Sequence, residues 1–214
     1  VLLYLDGMTE SAVVHDNILV PLMHPVLIDA AMSHTISSDF FAFVHTQLLP
    51  SGETTIVHTM DETVQAMMNG DVVLLLDQSI QGLVIDAKGF PHRDLGEPRN
   101  EKTLRGPQEA FVEAMRVNTA MLRRRLHTGA LKLEQMTIGT YTQTAVTIAY
   151  LEHIANDNII DEVRRRLNNI KKVDSILNAS CIEQYIEDRP FSIFPQVQYT
   201  ERPDKTAAAL LEGR

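Results

Sequence analysis

The sequence predicts an α/β protein with α+β character, built from two small lobes that are joined by a pair of extended linkers. Residues 1–89 and 106–189 each combine strand-like apolar runs with amphipathic helical patterns. Residues 90–105 and 190–203 carry prolines and mixed charge without an apolar period. Their matching composition suggests that the two linkers pair as a hinge. Residues 204–214 would then return to the first lobe as a short helix.

Composition places the chain among folded proteins and argues against nucleic acid as a partner. Of its 214 residues, 44% are hydrophobic and 22% are charged, a balance that supports a buried core. A formal charge of -9 opposes phosphate binding. The longest apolar run, residues 72–76, falls far short of the roughly 20 residues that cross a bilayer. We therefore expect a soluble chain, and its start in mid-pattern without methionine suggests a fragment of a longer protein.

Two helices and three strands are expected in the first lobe. Apolar spacing over Ser11–Met23 predicts a helix that Pro21 bends or ends. A second helix should begin with Asp61 as its N-cap and end at Gly70. Its expected apolar stripe is Val64, Met67 and Met68. The expected strands are Val1–Leu5, Asp71–Asp77 and Gln81–Asp86.

The second lobe is expected to hold a hairpin and three helices. Gly106-Pro107 should open a long helix that Gly129 stops, because proline is favoured in a first helical turn. Alternating residues predict a hairpin. Its strands are Leu131–Ile138 and Thr144–Leu151. The two further helices are Ile159–Ile170 and Ser175–Asp188.

Searches for catalytic and metal-binding motifs give no candidate. The eight histidines show neither HExxH nor short paired spacing, so we expect no metal site. No G-x-S-x-G or P-loop pattern is present, and the single Cys181 reads as a small core residue. We expect no cofactor and no enzymatic activity. Arg105 beside a helix start could attract an anion, although a simple helix start is the favoured interpretation.

Charged strings are the remaining candidates for function. Arginine triplets occupy 123–125 and 164–166 within predicted helices. Three consecutive helical residues span about 300° of arc, so in each triplet at least one arginine should lie beside the apolar stripe and pair with a carboxylate. Solvation of the helix is the favoured role of the triplets, with anion recognition or subunit contact as the alternative. The string 200–205 reads equally well as an exposed loop or as a hinge or binding segment.

Together these strings resemble the N-terminal region of A subunits of the GerA family of spore germinant receptors. The resemblance begins with Tyr4-Leu5-Asp6-Gly7 and continues through Arg105-Gly106-Pro107 with Glu109, Phe111 and Glu113. Asn118, the arginine triplet at 123–125 and the string Thr200-Glu201-Arg202-Pro203-Asp204 extend it over nearly the whole chain.

The resemblance implies a fold, a location and partners. Two α/β lobes would be similar to transporter substrate-binding proteins. Membrane spans would follow this region, and the receptor would lie in the inner membrane of the spore. Its partners would be B and C subunits, possible further A subunits, and a small nutrient germinant such as an amino acid, a sugar or an ion.

The leading hypothesis is therefore a receptor domain that takes part in nutrient recognition and in the signalling that leads to germination. Residues expected to recognise an anion or zwitterion, or to brace the hinge, are Arg105, Glu109, Asn118, Arg123, Arg125, Glu201 and Arg202. The alternative is a structural domain that oligomerises A subunits or docks the B and C subunits without binding a nutrient.

Overall fold

A computed structural model describes residues 1–23, 40–45, 54–77, 79–89, 101, 106–189 and 192–214. The chain divides into two compact units, which are described separately below. The first unit comprises Val1–Asp94 and His127–Gly129, and the second comprises Leu95–Leu126 and Ala130–Arg214. Helices and strands occur in both units, so the predicted α/β class is confirmed. The likeness of the two units to binding-protein lobes, and the pairing of the linkers as a hinge, stay predictions.

The first unit is organised by a sheet of four short antiparallel strands in the order β1-β3-β4-β2. The strands are β1 (Leu2–Leu3), β2 (Thr54–Val57), β3 (Val72–Leu75) and β4 (Gly82–Ile85). The two central strands are buried almost throughout, as their continuous apolar runs predict. Three of these strands lie within the predicted runs, whereas β2 was not predicted.

Helix α1 differs from the sequence prediction in its continuity. It joins three consecutive helical stretches, Ser11–Val13, the π-helical Val14–Leu19 and Val20–Leu22. The chain therefore remains helical through Pro21, which lies just after the π-helical stretch. The predicted end near Met23 is correct.

Each face of the sheet carries its own apolar cluster. One face packs against α1 and the short helix α2 (Phe40–Phe43), with Ile18 and Val44 fully buried there. The opposite face packs against helix α3 (Met60–Met68), where Ala66 contacts Val73 and Val84. This alternation follows from the two-residue period of strand side chains.

The start of α3 corrects the sequence prediction. Its N-cap is Thr59, whose hydroxyl accepts a hydrogen bond from the backbone N–H of Glu62, while the Glu62 carboxylate accepts one from the backbone of Thr59. This capping box begins the helix before Asp61, which is a first-turn residue. Gly70 follows the helix with φ +89°, as expected of a C-terminal stop.

The apolar stripe of α3 also differs from the one predicted. Thr63 and Ala66 are its buried residues. Of the predicted stripe, Met67 is partly buried against the same cluster, whereas Val64 is 41% exposed.

A long hairpin organises the second unit. Strands β5 (Leu131–Ile138) and β6 (Thr144–Leu151) pair antiparallel in register, with Leu131 opposite Leu151 and Ile138 opposite Thr144. Both strands have the predicted bounds. The turn between them uses Gly139 at φ +89°, a conformation that glycine adopts without steric cost.

Both faces of the hairpin are covered, each by a different pair of helices. Leu131 and Leu133 pack with α4 (Met115–Arg125) and α7 (Pro203–Leu211). Met136 and Ile138 pack on the opposite face, with α5 (Asp157–Asn169), the 3₁₀ turn Ile170–Lys172 and α6 (Ala179–Ile186). Side chains one residue apart point to opposite faces of a strand, so an eight-residue strand serves two apolar clusters.

Two expectations about the second unit are wrong. Helix α4 begins at Met115, with Ala114 as N-cap, so 106–114 is not the opening of a helix. Helix α7 does not return to the first unit. Its Ala207 and Leu210 pack with Leu122 and Leu151 of the second unit.

In the described part of the chain no helix has the length and apolar content that a membrane crossing requires.

Candidate functional site

A carboxylate between two arginines holds the non-helical segment 106–114 against α4. Arg124 Nη2 donates to Glu109 Oε1 at 2.8 Å, and Arg125 Nη2 donates to Glu109 Oε2 at 2.6 Å. All three side chains are largely buried. Burial raises the pKa of Glu109, but the hydrogen bonds and charges of the two guanidinium groups outweigh it, so the pKa lies below its usual range.

An asparagine amide makes the second attachment of this segment. The backbone N–H of Val112 donates to Asn118 Oδ1 at 2.8 Å, and Asn118 Nδ2 donates to the backbone carbonyl of Val112 at 2.6 Å. The Asn118 side chain thus satisfies both the N–H and the C=O of Val112, which a helix or a strand would otherwise satisfy with backbone groups. We call these two attachments the α4 brace: the contact of Glu109 with Arg124 and Arg125, and the contact of Val112 with Asn118.

Residues of the two predicted linkers meet at a second polar cluster. Glu101 accepts hydrogen bonds from Thr200 Oγ1 at 2.6 Å, from the backbone N–H of Glu201 at 3.3 Å and from Lys205 Nζ at 2.9 Å. Hydrogen bonds from Thr200 and Lys205 lower the pKa of Glu101. We call these four residues the linker clasp. The rest of 90–105, apart from Glu101, lies outside the described residues.

One backbone hydrogen bond connects the brace to the clasp. The N–H of Phe111 donates to the carbonyl oxygen of Glu201 at 2.8 Å, and the Phe111 side chain packs on the apolar cluster of the hairpin. Segments that are far apart in sequence are therefore joined within the second unit by a continuous chain of polar contacts.

The start of α7 is held by an ion pair within the linker string. Arg202 Nε donates to Asp204 Oδ1 at 3.0 Å, and Arg202 Nη2 also contacts this carboxylate. The pairing with Arg202 keeps the pKa of Asp204 low. The backbone N–H of Arg202 donates to Thr200 Oγ1 at 3.0 Å. These contacts fix the turn from the clasp into α7.

Arg123 stands apart from its two neighbours in the triplet. Its side chain is half-buried, and burial lowers the pKa of its guanidinium. Within the described residues it forms neither an ion pair nor a hydrogen bond. A partly desolvated cation without an anion is costly to the folded state, and an anionic group of a ligand would remove that cost.

The structure brings together four of the seven residues expected from the sequence. Glu109, Asn118 and Arg125 belong to the α4 brace, and Glu201 belongs to the linker clasp. The remaining three are distributed differently. Arg202 pairs next to the clasp, Arg123 has no described partner, and Arg105 lies outside the described residues.

Four participants were missed by the sequence-based choice. They are Glu101, Arg124, Thr200 and Lys205. Arg124 and Thr200 lie within the charged strings on which the family resemblance rests, so their place in those strings was a signal that could have identified them. Nothing local in the sequence identifies Lys205 as the partner of a carboxylate 104 residues away.

The second arginine triplet is occupied by internal pairs. Arg164 pairs with Glu134 and Asp161, Arg165 with Glu162, and Arg166 with Glu162 and Asp188. The expectation that an arginine in this triplet pairs with a carboxylate is confirmed. These guanidinium groups are therefore already neutralised within the second unit.

A shallow cleft of about 470 Å³ lies beside these pairs, between α5, the end of α6 and residues 196–197. Its arginine, Arg166, is bound by Glu162, by Asp188 and by the carbonyl of Ile186. The cleft therefore offers a ligand mainly apolar contact. In the described part of the chain no cluster of three His, Cys, Asp or Glu side chains has the arrangement of a metal site.

Comparison with known proteins gives the same result along the whole chain. A family model described as Bacillus/Clostridium GerA spore germination protein matches residues 1–214. The chain is 38% identical over 214 residues to spore germination protein B1 of Bacillus subtilis (strain 168), covering 100% of the chain and 42% of that protein. It is 31% identical to spore germination protein KA of the same organism, covering 99% of the chain and 38% of that protein.

The same agreement extends to a solved structure. The crystal structure of the N-terminal domain of the A subunit of the Bacillus megaterium spore germinant receptor GerK3 matches with a TM-score of 0.70 and 31% sequence identity. The match covers 100% of this chain and 75% of that one. The chain spans about two fifths of the length of the curated relatives named above.

Proposed function

The chain belongs to the GerA family of Bacillus and Clostridium spore germination proteins, and we propose that it acts as the N-terminal domain of a germinant receptor A subunit. In this role it takes part in recognising a nutrient and in relaying the signal that starts germination. It acts by binding and not as an enzyme. Its partners are the B and C subunits, in a receptor that lies in the inner membrane of the spore.

The α4 brace and the linker clasp support a relay role. Strings that carried the family resemblance supply Glu109, Asn118, Glu201 and most of their partners. A hydrogen bond between Phe111 and Glu201 joins the second linker to the segment that the brace attaches to α4. A shift of α4 on ligand binding would therefore be passed to the second linker and to α7, since coupling is carried by connected polar and packed contacts.

Arg123 is the observation that carries nutrient recognition. It lies on α4 beside Arg124 and Arg125, which Glu109 already occupies, and it is the half-buried arginine of the triplet that lacks a described partner. A guanidinium group presents a fork of donors that fits a carboxylate. We infer that Arg123 binds the carboxylate of an amino acid or another anionic group of a nutrient.

Thermal shift with a nutrient panel tests this role. At about ten times its Kd, a ligand stabilises the folded chain by about 1.4 kcal/mol, which raises the melting temperature by roughly 3 °C in a domain of this size. We expect an amino acid to give this shift and a neutral sugar to give none. Arg123→Gln should abolish the shift, whereas Arg116→Gln, which changes an exposed arginine of the same helix, should preserve it.

Two results would reject the proposed recognition. A shift retained in Arg123→Gln removes Arg123 from the ligand site. No shift with any member of the panel at millimolar concentration favours the alternative, in which the domain assembles A subunits or docks B and C without a nutrient. The arginines at 124, 125 and 164–166 give that alternative little support, because they are paired internally.

A further inference from the structure

Strand β2 is an edge of the sheet in the first unit, and the hydrogen-bond register identifies its outward backbone groups. The N-terminal amine of Val1 donates to the carbonyl of Leu75 at 2.6 Å, and Leu75 N donates to the carbonyl of Val1 at 2.8 Å. Leu75 therefore directs its backbone groups toward β1. Since these groups alternate sides along an antiparallel strand, Leu74 directs its groups toward β4.

The same alternation continues across β4 to the edge. Leu83, opposite Leu74, directs its groups toward β3, so Val84 directs its groups toward β2 and bonds with Thr55. Thr54 and Ile56 consequently direct their N–H and C=O groups away from the sheet. No described residue forms a hydrogen bond to these outward groups.

A groove of about 440 Å³ runs along this edge, between β2 and helix α3. Its floor is apolar and is formed by Val57, Ala66 and Val84. Its polar lining consists of Thr55, Asp61, Glu62, Gln65, Asn69 and Asp71. An apolar floor beside strand groups that have no partner among the described residues is the arrangement to which an added extended segment binds.

Charge determines what kind of segment fits. No lysine or arginine belongs to the described lining, which contains three carboxylates. Lys88, which is not part of the lining, forms an ion pair with Asp71 at 2.8 Å. Among the described residues, the lining contains no cation that could pair with Asp61 or Glu62. Hydrogen bonds from the backbone of His58 and Thr59 lower the pKa of Glu62, so its carboxylate stays ionised at neutral pH.

We infer that the groove between β2 and α3 docks an extended basic segment of another protein, which adds to the sheet as a fifth strand. Backbone groups of the segment pair with Thr54 and Ile56. Alternate side chains of a strand lie on one face about 7 Å apart, so lysines or arginines at every second position reach Asp61 and Glu62. The chain's charge of -9 favours the approach of such a partner. The inference does not rest on nutrient recognition, which we place in the second unit.

Fluorescence anisotropy with a labelled, end-blocked peptide of alternating lysine and valine tests the docking on the 214-residue chain. We expect saturable binding that weakens several-fold between about 50 mM and about 300 mM salt. A peptide of the same length that alternates glutamate and valine should not bind. Failure of the basic peptide to bind at millimolar concentration would overturn the inference.

Two variants separate strand addition from attraction of charge. Ile56→Pro removes an N–H that points away from β4, a position where an edge strand tolerates proline, so the melting temperature should stay near the wild-type value while affinity falls at least about tenfold. Asp61→Lys should lower the affinity by a similar factor. Asp157→Lys is its matched control, because Asp157 is also a first-turn acid, on α5 of the second unit, and should leave the affinity unchanged.

The competing occupant is a second copy of the chain. Sedimentation velocity of the chain alone should show a monomer at concentrations where the basic peptide saturates. If the chain forms a dimer and Ile56→Pro dissociates it, the occupant of the groove is the β2 edge of a second copy and not a basic segment of another protein. Equal peptide affinity in the wild type, Ile56→Pro and Asp61→Lys would show that the peptide binds elsewhere and would also overturn the inference.

Discussion

Single residues of the second unit show how one carboxylate is placed by partners from several elements. Glu134 of β5 accepts hydrogen bonds from Arg164 Nε of α5 at 2.8 Å and from Tyr150 Oη of β6 at 2.6 Å. The guanidinium of Arg164 also lies 5.8 Å from the centroid of the Tyr150 ring, within reach of a cation–π contact. This network fastens α5 across the hairpin, alongside the apolar contacts of the same face.

The Glu134 network predicts a defined pH dependence of stability. Hydrogen bonds from Arg164 and then Tyr150 lower the pKa of Glu134 to about 2 from its ordinary 4.5. A carboxyl whose pKa falls on folding stabilises the native state above its unfolded pKa, and this contribution is lost as pH falls through the folded pKa. Melting temperatures of wild type and Glu134→Gln should therefore differ by a constant amount above about pH 5 and converge toward about pH 2.

Glu113→Gln serves as the control for this titration, because Glu113 is exposed and has no described partner. Its melting curve should follow that of the wild type at each pH. A gap between wild type and Glu134→Gln that stays constant down to about pH 3 would contradict the assignment.

At the scale of elements, the residues at which helices begin depend on hydrogen-bond contacts that the apolar period of the sequence does not predict. Helix α3 starts at a capping box built by Thr59 and Glu62, not at Asp61. Helix α4 starts eight residues after Pro107, because Glu109, Phe111 and Val112 find partners outside a helix. In both helices the apolar period was visible in the sequence, but the hydrogen-bond partners determined the residue at which the helix begins.

The capping box can be tested by comparing two alanine substitutions. Thr59→Ala removes the hydroxyl that accepts the N–H of Glu62 and should lower the free energy of unfolding by about 1 kcal/mol. Asp61→Ala removes only a first-turn charge and should cost about 0.3 kcal/mol. Urea unfolding of the two variants measures both values. A larger loss for Asp61→Ala than for Thr59→Ala would restore the cap that the sequence predicted.

At the scale of the whole molecule, the position of α7 decides which unit contains the C-terminal residues. Leu210 is 4% exposed and packs with Leu122, Leu126 and Leu151 of the second unit, whereas the adjacent Leu211 is 57% exposed. The same helix is tied to the linker clasp through Lys205. The segment after the second linker is therefore part of the core of the second unit.

Two neighbouring leucines test this docking. Leu210→Ala should destabilise the second unit by about 3 kcal/mol, because it removes a buried side chain and leaves a cavity. Leu211→Ala should change stability by less than about 0.5 kcal/mol. Hydrogen exchange should locate the loss caused by Leu210→Ala in β6 and α4. Faster exchange in β3 and β4 instead would place the helix on the first unit.

The sequence by itself determined the class of fold, the bounds of β5 and β6 and, through its charged strings, the family resemblance. These properties depend on residues that are close in the chain, where alternation and turn glycines are directly visible. Tertiary structure alone decided that Glu109 occupies Arg124 and Arg125 while Arg123 is left without a described partner, and that α7 packs on the second unit. Such contacts join residues 15 to more than 100 positions apart, and many alternative partners have the same local pattern until packing selects one.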